Sequence, residues 1–274
     1  MKLAIFGNRG YLGSQLQFWF AQKGCEVDGF DLPECDVSDL AFWQGFKPLE
    51  YDGILFFSGL TGTDKSFEEA ENFILANELG LVRLLSRLAP IGEKAPKVIF
   101  PSSRLVYKGK DGPIGEDDEK ETKTVYAVNK LACEGYLKAY GNMYGLPYAI
   151  LRICVPFGSL VKGSQSYGTI GFFERQARAG KQISLFGGGD VRRTFTHVED
   201  ICKAVALLLE RGCGVYNMGG KEMSLRDAAE SIARQHGVDV RAVPWPQTAL
   251  RLESGSTVFD ATRLNALMKG EQIQ

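Results

Sequence analysis

Three glycines spaced three residues apart, Gly7, Gly10 and Gly13, constrain the fold of this chain more than any other feature. The short apolar run before them, Lys2–Phe6, has the pattern of a buried strand. The segment after them has apolar residues at helical spacing and ends at Gly24. A strand, a glycine-rich turn and a helix in this order predict the start of a parallel α/β sheet.

The alternation of strand and helix patterns continues to about residue 155. Further strands are predicted at Glu26–Phe30, Asp52–Phe57, Lys97–Phe100 and Tyr148–Val155, with long helices at Phe67–Ala89 and Lys123–Tyr144. This order predicts an α/β fold with a doubly wound parallel sheet of the Rossmann type. Beyond it glycine and serine become frequent, and helices are predicted at Thr169–Ala179, Val198–Glu210 and Leu225–Gln235. We expect a first domain over residues 1–155 and a smaller C-terminal α/β lobe over residues 156–274, with interleaving of the two left open.

Composition argues against several classes of protein. The chain has 274 residues, 45% of them hydrophobic, which is enough for a large core in one or two domains. Its 32 basic and 33 acidic residues give a net charge of −1, so we expect neither nucleic acid nor an anionic membrane as a partner. No apolar stretch approaches the ~20 residues of a membrane-spanning helix, and no secretory signal is recognised, so a cytoplasmic protein is expected. Six cysteines without paired spacing and only two histidines predict no metal site.

The glycine-rich turn has the features of a dinucleotide site. A pyrophosphate at a helix N-terminus needs a backbone without obstructing Cβ atoms and amides that point at the anion. The alternative is a glycine-rich turn that binds no ligand. We assign cofactor contacts to the whole loop, which consists of Gly7, Asn8, Arg9, Gly10, Tyr11, Leu12 and Gly13.

Asp31 ends the second predicted strand, 18 residues after the last glycine of the loop. A carboxylate there can accept both hydroxyls of the adenosine ribose and repel a 2′-phosphate, which favours NAD over NADP. Arg9 is a complication, because its guanidinium is able to bind a 2′-phosphate. Asp36 is a weaker candidate for the adenine amino group. Ser58 and Gly59 follow the third predicted strand, and we include them in the cofactor site.

Tyr126 and Lys130 are four residues apart on one predicted helix, so their side chains share a face. A free tyrosine has a pKa near 10, and lowering it by about three units requires roughly 4 kcal/mol. A lysine ammonium at about 4 Å supplies at most about 4 kcal/mol at an effective dielectric near 20. The positive ring of an oxidised nicotinamide adds to this effect, and the same lysine can hold the nicotinamide ribose. A single Tyr-x-x-x-Lys pattern also occurs by chance in many helices.

Ser103 strengthens the case for catalysis, because it ends the fourth predicted strand where ligands lie in doubly wound sheets. Its hydroxyl can hold the substrate oxygen while a proton moves. Ser102 is the competing candidate, and one of the two serines is expected to be a turn hydroxyl. His197 is interpreted as a packed or capping histidine rather than a general acid.

Eight segments along nearly the whole chain occur in the order of one known family. They are Gly7-x-x-Gly10-x-x-Gly13, Asp31, Asn77-Glu-Leu-Gly80, Ser102-Ser103-Arg-Leu-Val-Tyr107, Tyr126-x-x-x-Lys130, Leu151-Arg152-Ile-Cys-Val155-Pro156-Phe-Gly158, Arg193-Thr-Phe-Thr-His197-Val-Glu-Asp200 and Tyr216-Asn217-Met-Gly219-Gly220. In these segments the chain resembles the extended short-chain dehydrogenase/reductases of the NAD-dependent nucleotide-sugar epimerase/dehydratase group.

The resemblance implies further site residues. Asn77 would lie near the cofactor, and Arg193 would contact the diphosphate of the substrate, for which a guanidinium fork is suited. The alternative for Arg193 is a surface ion pair with Glu199 or Asp200. The resemblance also implies a homodimer formed through a four-helix contact by the two long helices. Val155 departs from the family pattern, which usually has an asparagine that helps to hold the diphosphate.

The resemblance implies redox chemistry on a nucleotide sugar. Members that eliminate water carry an acid pair after the catalytic hydroxyl, and Arg104 and Leu105 stand there instead. We therefore expect an epimerase in which Tyr126 takes a proton from a hydroxyl, at C4, while NAD accepts and later returns the hydride. Two alternatives remain, an NAD(P)H-dependent keto-sugar or carbonyl reductase and a non-catalytic dinucleotide-binding sensor.

Overall fold

The computed structural model describes residues 1–270 and contains the parallel sheet that the sequence predicts. Its strands are β1 (Lys2–Phe6), β2 (Glu26–Phe30), β3 (Gly53–Phe56), β4 (Lys97–Ser103), β5 (Pro113–Ile114), β6 (Tyr148–Ile153), β7 (Val155–Phe157), β8 (Ile183–Phe186), β9 (Arg192–His197), β10 (Gly214–Asn217), β11 (Lys221–Ser224), β12 (Val240–Val243) and β13 (Val258–Phe259). Its α-helices are α1 (Tyr11–Gln22), α2 (Leu40–Gly45), α3 (Lys65–Glu68), α4 (Ala70–Phe73), α5 (Gly80–Leu88), α6 (Val125–Tyr144), α7 (Gly168–Arg178), α8 (Val198–Glu210), α9 (Leu225–His236), α10 (Gln247–Leu252) and α11 (Thr262–Lys269).

The main sheet has six parallel strands in the order β10-β6-β4-β3-β1-β2. This arrangement confirms the doubly wound Rossmann-type fold. The chain steps from β1 outward to β2 and then returns to the other side of β1 with β3. Ligands of such sheets lie beyond the carboxyl ends of the strands, at the point where the order reverses. The carboxyl ends of β1, β3 and β4 therefore position the candidate site.

Both faces of the main sheet are covered, so its strands are apolar almost throughout. Ala4 and Phe6 of β1 face the layer built by α2, α5 and α6. Leu3 and Ile5 face the opposite layer, which α1 and α8 form. This alternation follows from the two-residue period of a strand and explains why Lys2–Phe6 is a continuous apolar run.

Elements from both halves of the chain build the main sheet. Strand β10 pairs with β6 in parallel, with Tyr216 opposite Leu151, and α8 packs beside α1. Smaller sheets with the orders β11-β9-β7, β12-β8 and β13-β5 form the remaining lobe. The division at residue 155 stays a prediction, and the structure adds that β10 and α8 from beyond it belong to the main sheet layers.

The single helix predicted over Phe67–Ala89 is wrong, because four segments occupy this stretch. Helices α3 and α4 are separated at Glu69, whose φ of −120° and ψ of 38° lie outside the helical region. A π-helical turn, Ile74–Leu79, then precedes α5. Such turns are rare and often mark functional sites. Here the π-turn carries the buried Asn77.

Two features are absent from residues 1–270, the part of the chain that the structure describes. None of the helices in this range combines the length and the apolar character needed to cross a membrane. The same residues contain no group of three His, Cys, Asp or Glu side chains arranged to hold a metal ion.

Candidate active site

The glycine loop fits a dinucleotide pyrophosphate. Gly7 has a φ of +81°, and a Cβ there would lie 2.6 Å from the Ser58 nitrogen. A Cβ at Gly13 would lie 2.0 Å from the Gly7 carbonyl oxygen, so α1 can pack this closely only without a side chain. Gly10 is the N-cap residue of α1 and offers no side chain to cap it, which leaves the first-turn amides of the helix available to an anion. Leu12, the remaining apolar member of the loop, packs against the α1/α8 layer of the core.

Asn8 and Tyr11 tie the loop to its surroundings. The Asn8 amide nitrogen donates to the Gln17 side-chain oxygen at 2.8 Å and lies over Gly29 of β2. The Asn8 side-chain oxygen is buried and has no hydrogen-bond partner within residues 1–270. The Tyr11 hydroxyl donates to the Gly158 carbonyl at 2.7 Å, which connects the loop to the second half of the chain.

Asp31 lies against the glycine loop, at the end of β2. Its carboxylate accepts hydrogen bonds from the backbone nitrogens of Arg9 and Leu32, both at 2.9 Å. The Arg9 guanidinium turns to Glu34, with 2.8 Å between Nη1 and Oε2, and this hydrogen bond raises the pKa of Arg9. Because Glu34 already neutralises Arg9 while Asp31 faces the loop, the local charges favour a cofactor without a 2′-phosphate.

Asp36 forms a local turn. Its Oδ1 accepts from the Ser38 nitrogen at 2.8 Å and from the Ser38 hydroxyl at 2.7 Å. One carboxylate oxygen is thereby committed to backbone geometry, and the contact with adenine stays a prediction.

Asn77 holds the loop after β3. Its side-chain oxygen accepts from the Leu60 nitrogen at 2.6 Å, and its amide donates to the Leu60 carbonyl at 3.1 Å. Gly59 has a φ of +147°, and a Cβ there would lie 2.5 Å from the Asn77 oxygen. The structure therefore joins Asn77, Ser58 and Gly59 in one unit beside Gly7, with the asparagine supporting the loop.

Ser103, Tyr126 and Lys130 come together at the carboxyl end of β4. Ser103 begins a 3₁₀ turn, and its hydroxyl accepts from the Leu105 nitrogen at 3.2 Å. Thr124 caps α6, which places Tyr126 in the first helical turn and Lys130 one turn later. The Lys130 ammonium donates to the Pro101 carbonyl at 2.8 Å and lies 5.6 Å from the Tyr126 ring centre.

Burial shifts the pKa values of two of these residues, Tyr126 and Lys130. Burial raises the pKa of Tyr126 to about 12, against the opposing effect of the Ser103 hydroxyl beside it. Burial also lowers the pKa of Lys130 to about 8. Loss of hydration is thus the largest cause of the shift in the tyrosine pKa, and the lowering of that pKa by Lys130 and a bound nicotinamide stays a prediction.

Ser102 belongs to a different network, behind the site. Its hydroxyl donates to the Glu134 carboxylate at 2.5 Å, which also accepts from Arg152 Nε at 2.9 Å. The Tyr107 hydroxyl donates to Asn217 at 2.7 Å in the same buried region. Because Ser102 is engaged there, the geometry favours Ser103 as the hydroxyl available to a substrate.

Arg193 is almost completely buried, with 1% of its surface exposed. Its Nη2 donates to Glu253 at 2.6 Å, and its Nη1 donates to the carbonyls of Arg192 and Gly255. The alternative pairing with Glu199 or Asp200 is wrong, because both of those carboxylates pair with Lys203. Contact with a diphosphate stays a prediction, and Glu253 is its competitor for the guanidinium.

His197 caps α8, since its Nδ1 accepts from the Glu199 nitrogen at 3.3 Å. The structural interpretation of this histidine is confirmed.

Sequence reasoning missed Gln15, a fully buried polar residue on α1. Its side-chain oxygen accepts from the Leu160 nitrogen at 2.6 Å and from the Val161 nitrogen at 3.3 Å. This residue anchors the segment after β7 against the helix that follows the glycine loop. Its only sequence signal is a polar residue between the apolar positions Leu12 and Leu16.

Two curated relatives are similar over most of the chain. The dTDP-L-rhamnose 4-epimerase of Burkholderia thailandensis is 27% identical over 255 residues, covering 79% of this chain and 69% of the relative. The UDP-glucuronate 4-epimerase of Thermodesulfobacterium geofontis is 25% identical over 227 residues, covering 81% of this chain and 69% of the relative.

Solved structures share the fold. The UDP-glucose 4-epimerase of Thermus thermophilus in complex with NAD superimposes with a TM-score of 0.85 at 22% identity. The match covers 99% of this chain and 94% of that chain.

The sequence also matches a family model over most of its length. The model of the NAD dependent epimerase/dehydratase family matches residues 3–219, which is well over half of the chain. This protein is therefore a member of the NAD dependent epimerase/dehydratase family.

Proposed function

We propose that the protein is an NAD-dependent epimerase that inverts C4 of a nucleotide sugar. The observation that carries the proposal is the convergence of Ser103, Tyr126 and Lys130 at the carboxyl end of β4, at the same edge of the parallel sheet as the glycine loop after β1. The curated relatives named above are 4-epimerases of nucleotide sugars, which supports both the reaction and the carbon.

The cofactor would occupy the carboxyl edge of β1, β2 and β3. The loop Gly7–Gly13 would receive the pyrophosphate, and Asp31 would accept the ribose hydroxyls. Ser58 and Gly59, supported by Asn77, would border the same groove. When bound, NAD supplies reversible hydride transfer at the sugar carbon.

The residues of the chain would move the proton. Ser103 would hold the reacting oxygen by a hydrogen bond, and Tyr126 would take the hydroxyl proton and later return it. Lys130 would hold the nicotinamide ribose and place its charge near the phenol. Because burial raises the pKa of Tyr126, this nearby positive charge is needed to form the phenolate.

Elimination of water is disfavoured by the residues after Ser103. Arg104 is a cation and Leu105 is apolar, so neither supplies the acid or the base that dehydration requires.

The test starts with the small molecules that the purified protein carries. Mass spectrometry after denaturation should identify NAD. The protein, incubated with UDP- and dTDP-linked sugars, should produce C4 epimers by NMR without net formation of NADH. Tyr126→Phe should lower kcat by about 100- to 10,000-fold and leave NAD bound.

Three results would contradict the proposal. Stoichiometric consumption of NADH or NADPH would indicate a reductase. Unchanged turnover in Tyr126→Phe would remove the catalytic assignment, and bound NAD with no turnover of any sugar would favour a dinucleotide sensor.

We also propose that two copies of the chain associate through α6 and the helical stretch from α3 to α5. Ile74, Leu75 and Val128 are exposed apolar residues on these elements. A four-helix contact between two copies would bury them together.

A further inference from the structure

An exposed hydrogen bond joins distant parts of the chain at the rim of the proposed cofactor groove. The hydroxyl oxygens of Thr61 and Tyr167 lie 2.9 Å apart, although 106 residues separate the two positions. Thr61 belongs to the loop after β3, shortly beyond Ser58, and Tyr167 is the N-cap residue of α7. The bond therefore connects the loop that borders the proposed cofactor groove to the segment that follows β7.

The Tyr167 ring lies beside the glycine loop. Its centre is 6.3 Å from the centre of the Tyr11 ring, with an angle of 30° between the ring planes. Burial is the main cause of the raised pKa of Tyr126, and the nearby Tyr167 phenol raises that pKa further. Tyr167 thus lies between the glycine loop, the loop after β3 and the proposed catalytic tyrosine, which are the elements that border the proposed NAD groove.

The base of the segment that carries Tyr167 is held by buried contacts. The Ser166 hydroxyl accepts from the Gly158 nitrogen and donates to the Glu174 carboxylate, both at 3.0 Å. Tyr167 and Thr61 are exposed by contrast, and 54% of the Tyr167 surface is accessible. Exposed side chains change rotamer within nanoseconds, so rotation of the Tyr167 side chain can open the bond while the base of the segment stays in place.

We propose that Thr61 and Tyr167 form a clasp across the NAD groove, which opens for the cofactor to enter or leave. A clasp that closes equally with and without NAD slows both binding and release and leaves the affinity unchanged. The inference goes beyond the proposed function, because it concerns the exchange of NAD and not the reaction of the sugar. Since the proposed reaction regenerates NAD in every cycle, slow exchange of the cofactor does not limit turnover.

The test measures the exchange of NAD in two variants that each remove one hydroxyl. Protein loaded with radiolabelled NAD is chased with unlabelled NAD, and binding to the cofactor-free protein is followed by stopped-flow fluorescence. Tyr167→Phe should accelerate both release and binding about 2- to 12-fold, which corresponds to the loss of one hydrogen bond of about 0.5–1.5 kcal/mol. Thr61→Val should do the same, and the double variant should match either single variant, because all three lack the same bond. The Kd for NAD should stay unchanged in each variant.

Tyr144→Phe is the matched control, because it removes an exposed phenol hydroxyl at the end of α6 and should leave both rates unchanged. Unchanged rates in Tyr167→Phe or Thr61→Val would overturn the clasp, and so would additive effects in the double variant. A weaker Kd with an unchanged binding rate would indicate direct contact between the hydroxyl and NAD, which would also overturn it. Altered exchange without epimerisation of any sugar would overturn the proposed function alone, whereas epimerisation with unaltered exchange would overturn the clasp alone.

Discussion

Tyr126 and Lys130 illustrate how burial controls single residues in this site. Both side chains lie among apolar groups, and the ammonium is 4.5 Å from the Phe100 ring centre. Burial disfavours the charged form of each, so the pKa of the tyrosine rises and that of the lysine falls. A bound ligand that adds charge or excludes water therefore acts on both residues at once.

The lowered pKa of Lys130 predicts a pH dependence of stability. Between the folded pKa of about 8 and the ordinary value of 10.5, the unfolded chain binds the proton and the folded protein does not. Stability contributed by this residue should therefore rise with pH in that window. In urea unfolding of the cofactor-free protein, the free energy of unfolding of the wild type should increase relative to that of Lys130→Met as the pH rises between these values. A constant difference across the window would contradict the assignment.

The buried pair of Arg193 and Glu253 predicts a second residue-level effect. Glu253→Ala would leave Arg193 buried without its carboxylate and should reduce the free energy of unfolding by about 3 kcal/mol. The neighbouring pair of Arg192 and Glu222 is exposed, and Glu222→Ala should cost less than about 1 kcal/mol. Denaturant unfolding of both variants measures the contrast, and equal costs would argue against the importance of the buried pair.

At the scale of elements, the π-turn Ile74–Leu79 is the most informative departure from regularity. It places Asn77 where one side chain can satisfy both the donor and the acceptor of Leu60. An asparagine amide is suited to this because it donates and accepts at the same end. The helical stretch thereby supports the loop after β3, on which the cofactor would lie.

Asn77→Ala should loosen that loop. We expect the affinity for NAD to fall by up to about 30-fold, because the two hydrogen bonds to Leu60 are worth about 1 kcal/mol each and about 1.4 kcal/mol corresponds to a factor of ten. Calorimetric titration of NAD into the cofactor-free variant measures the effect. Asn142→Ala, an exposed change on α6, is the control and should bind NAD as the wild type does. An unchanged affinity for NAD in Asn77→Ala would show that the π-turn does not support the cofactor site.

At the scale of the whole molecule, the site is assembled from distant parts of the chain. Tyr11 and Gln15 of α1 bond to the Gly158–Val161 segment, and Glu253 reaches back to Arg193. The proposed cofactor side is local to β1–β4, whereas the proposed substrate side depends on these long-range contacts. This division explains why the two sides differ in how readily a sequence reveals them.

The proposed association of two chains is also tested at this scale. Light scattering should give a mass of about twice the 30.2 kDa of one chain. Val128→Arg would place a charge in the four-helix contact and should shift the mass towards one chain. Met143→Arg, an exposed change near the end of α6, is the control. A single-chain mass for the wild type would exclude the dimer.

The sequence by itself determined the fold class and the positions of most elements. Strand β1 and helix α8 match their predicted bounds, because apolar periodicity and caps are local signals. The same local signals identified the glycine loop and the Tyr-x-x-x-Lys spacing. The break at Glu69 was not predictable, because the apolar pattern of that stretch continues through it.

Only the tertiary structure decided which charges are neutralised and which are not. The partner of Arg193 lies 60 residues away at Glu253, and no spacing rule connects the two. Within residues 1–270, the Nη1 atom of Arg104 is buried and has no hydrogen-bond partner. Periodicity reports which face of an element is buried, but it does not report which buried charges meet, because that depends on how distant segments pack.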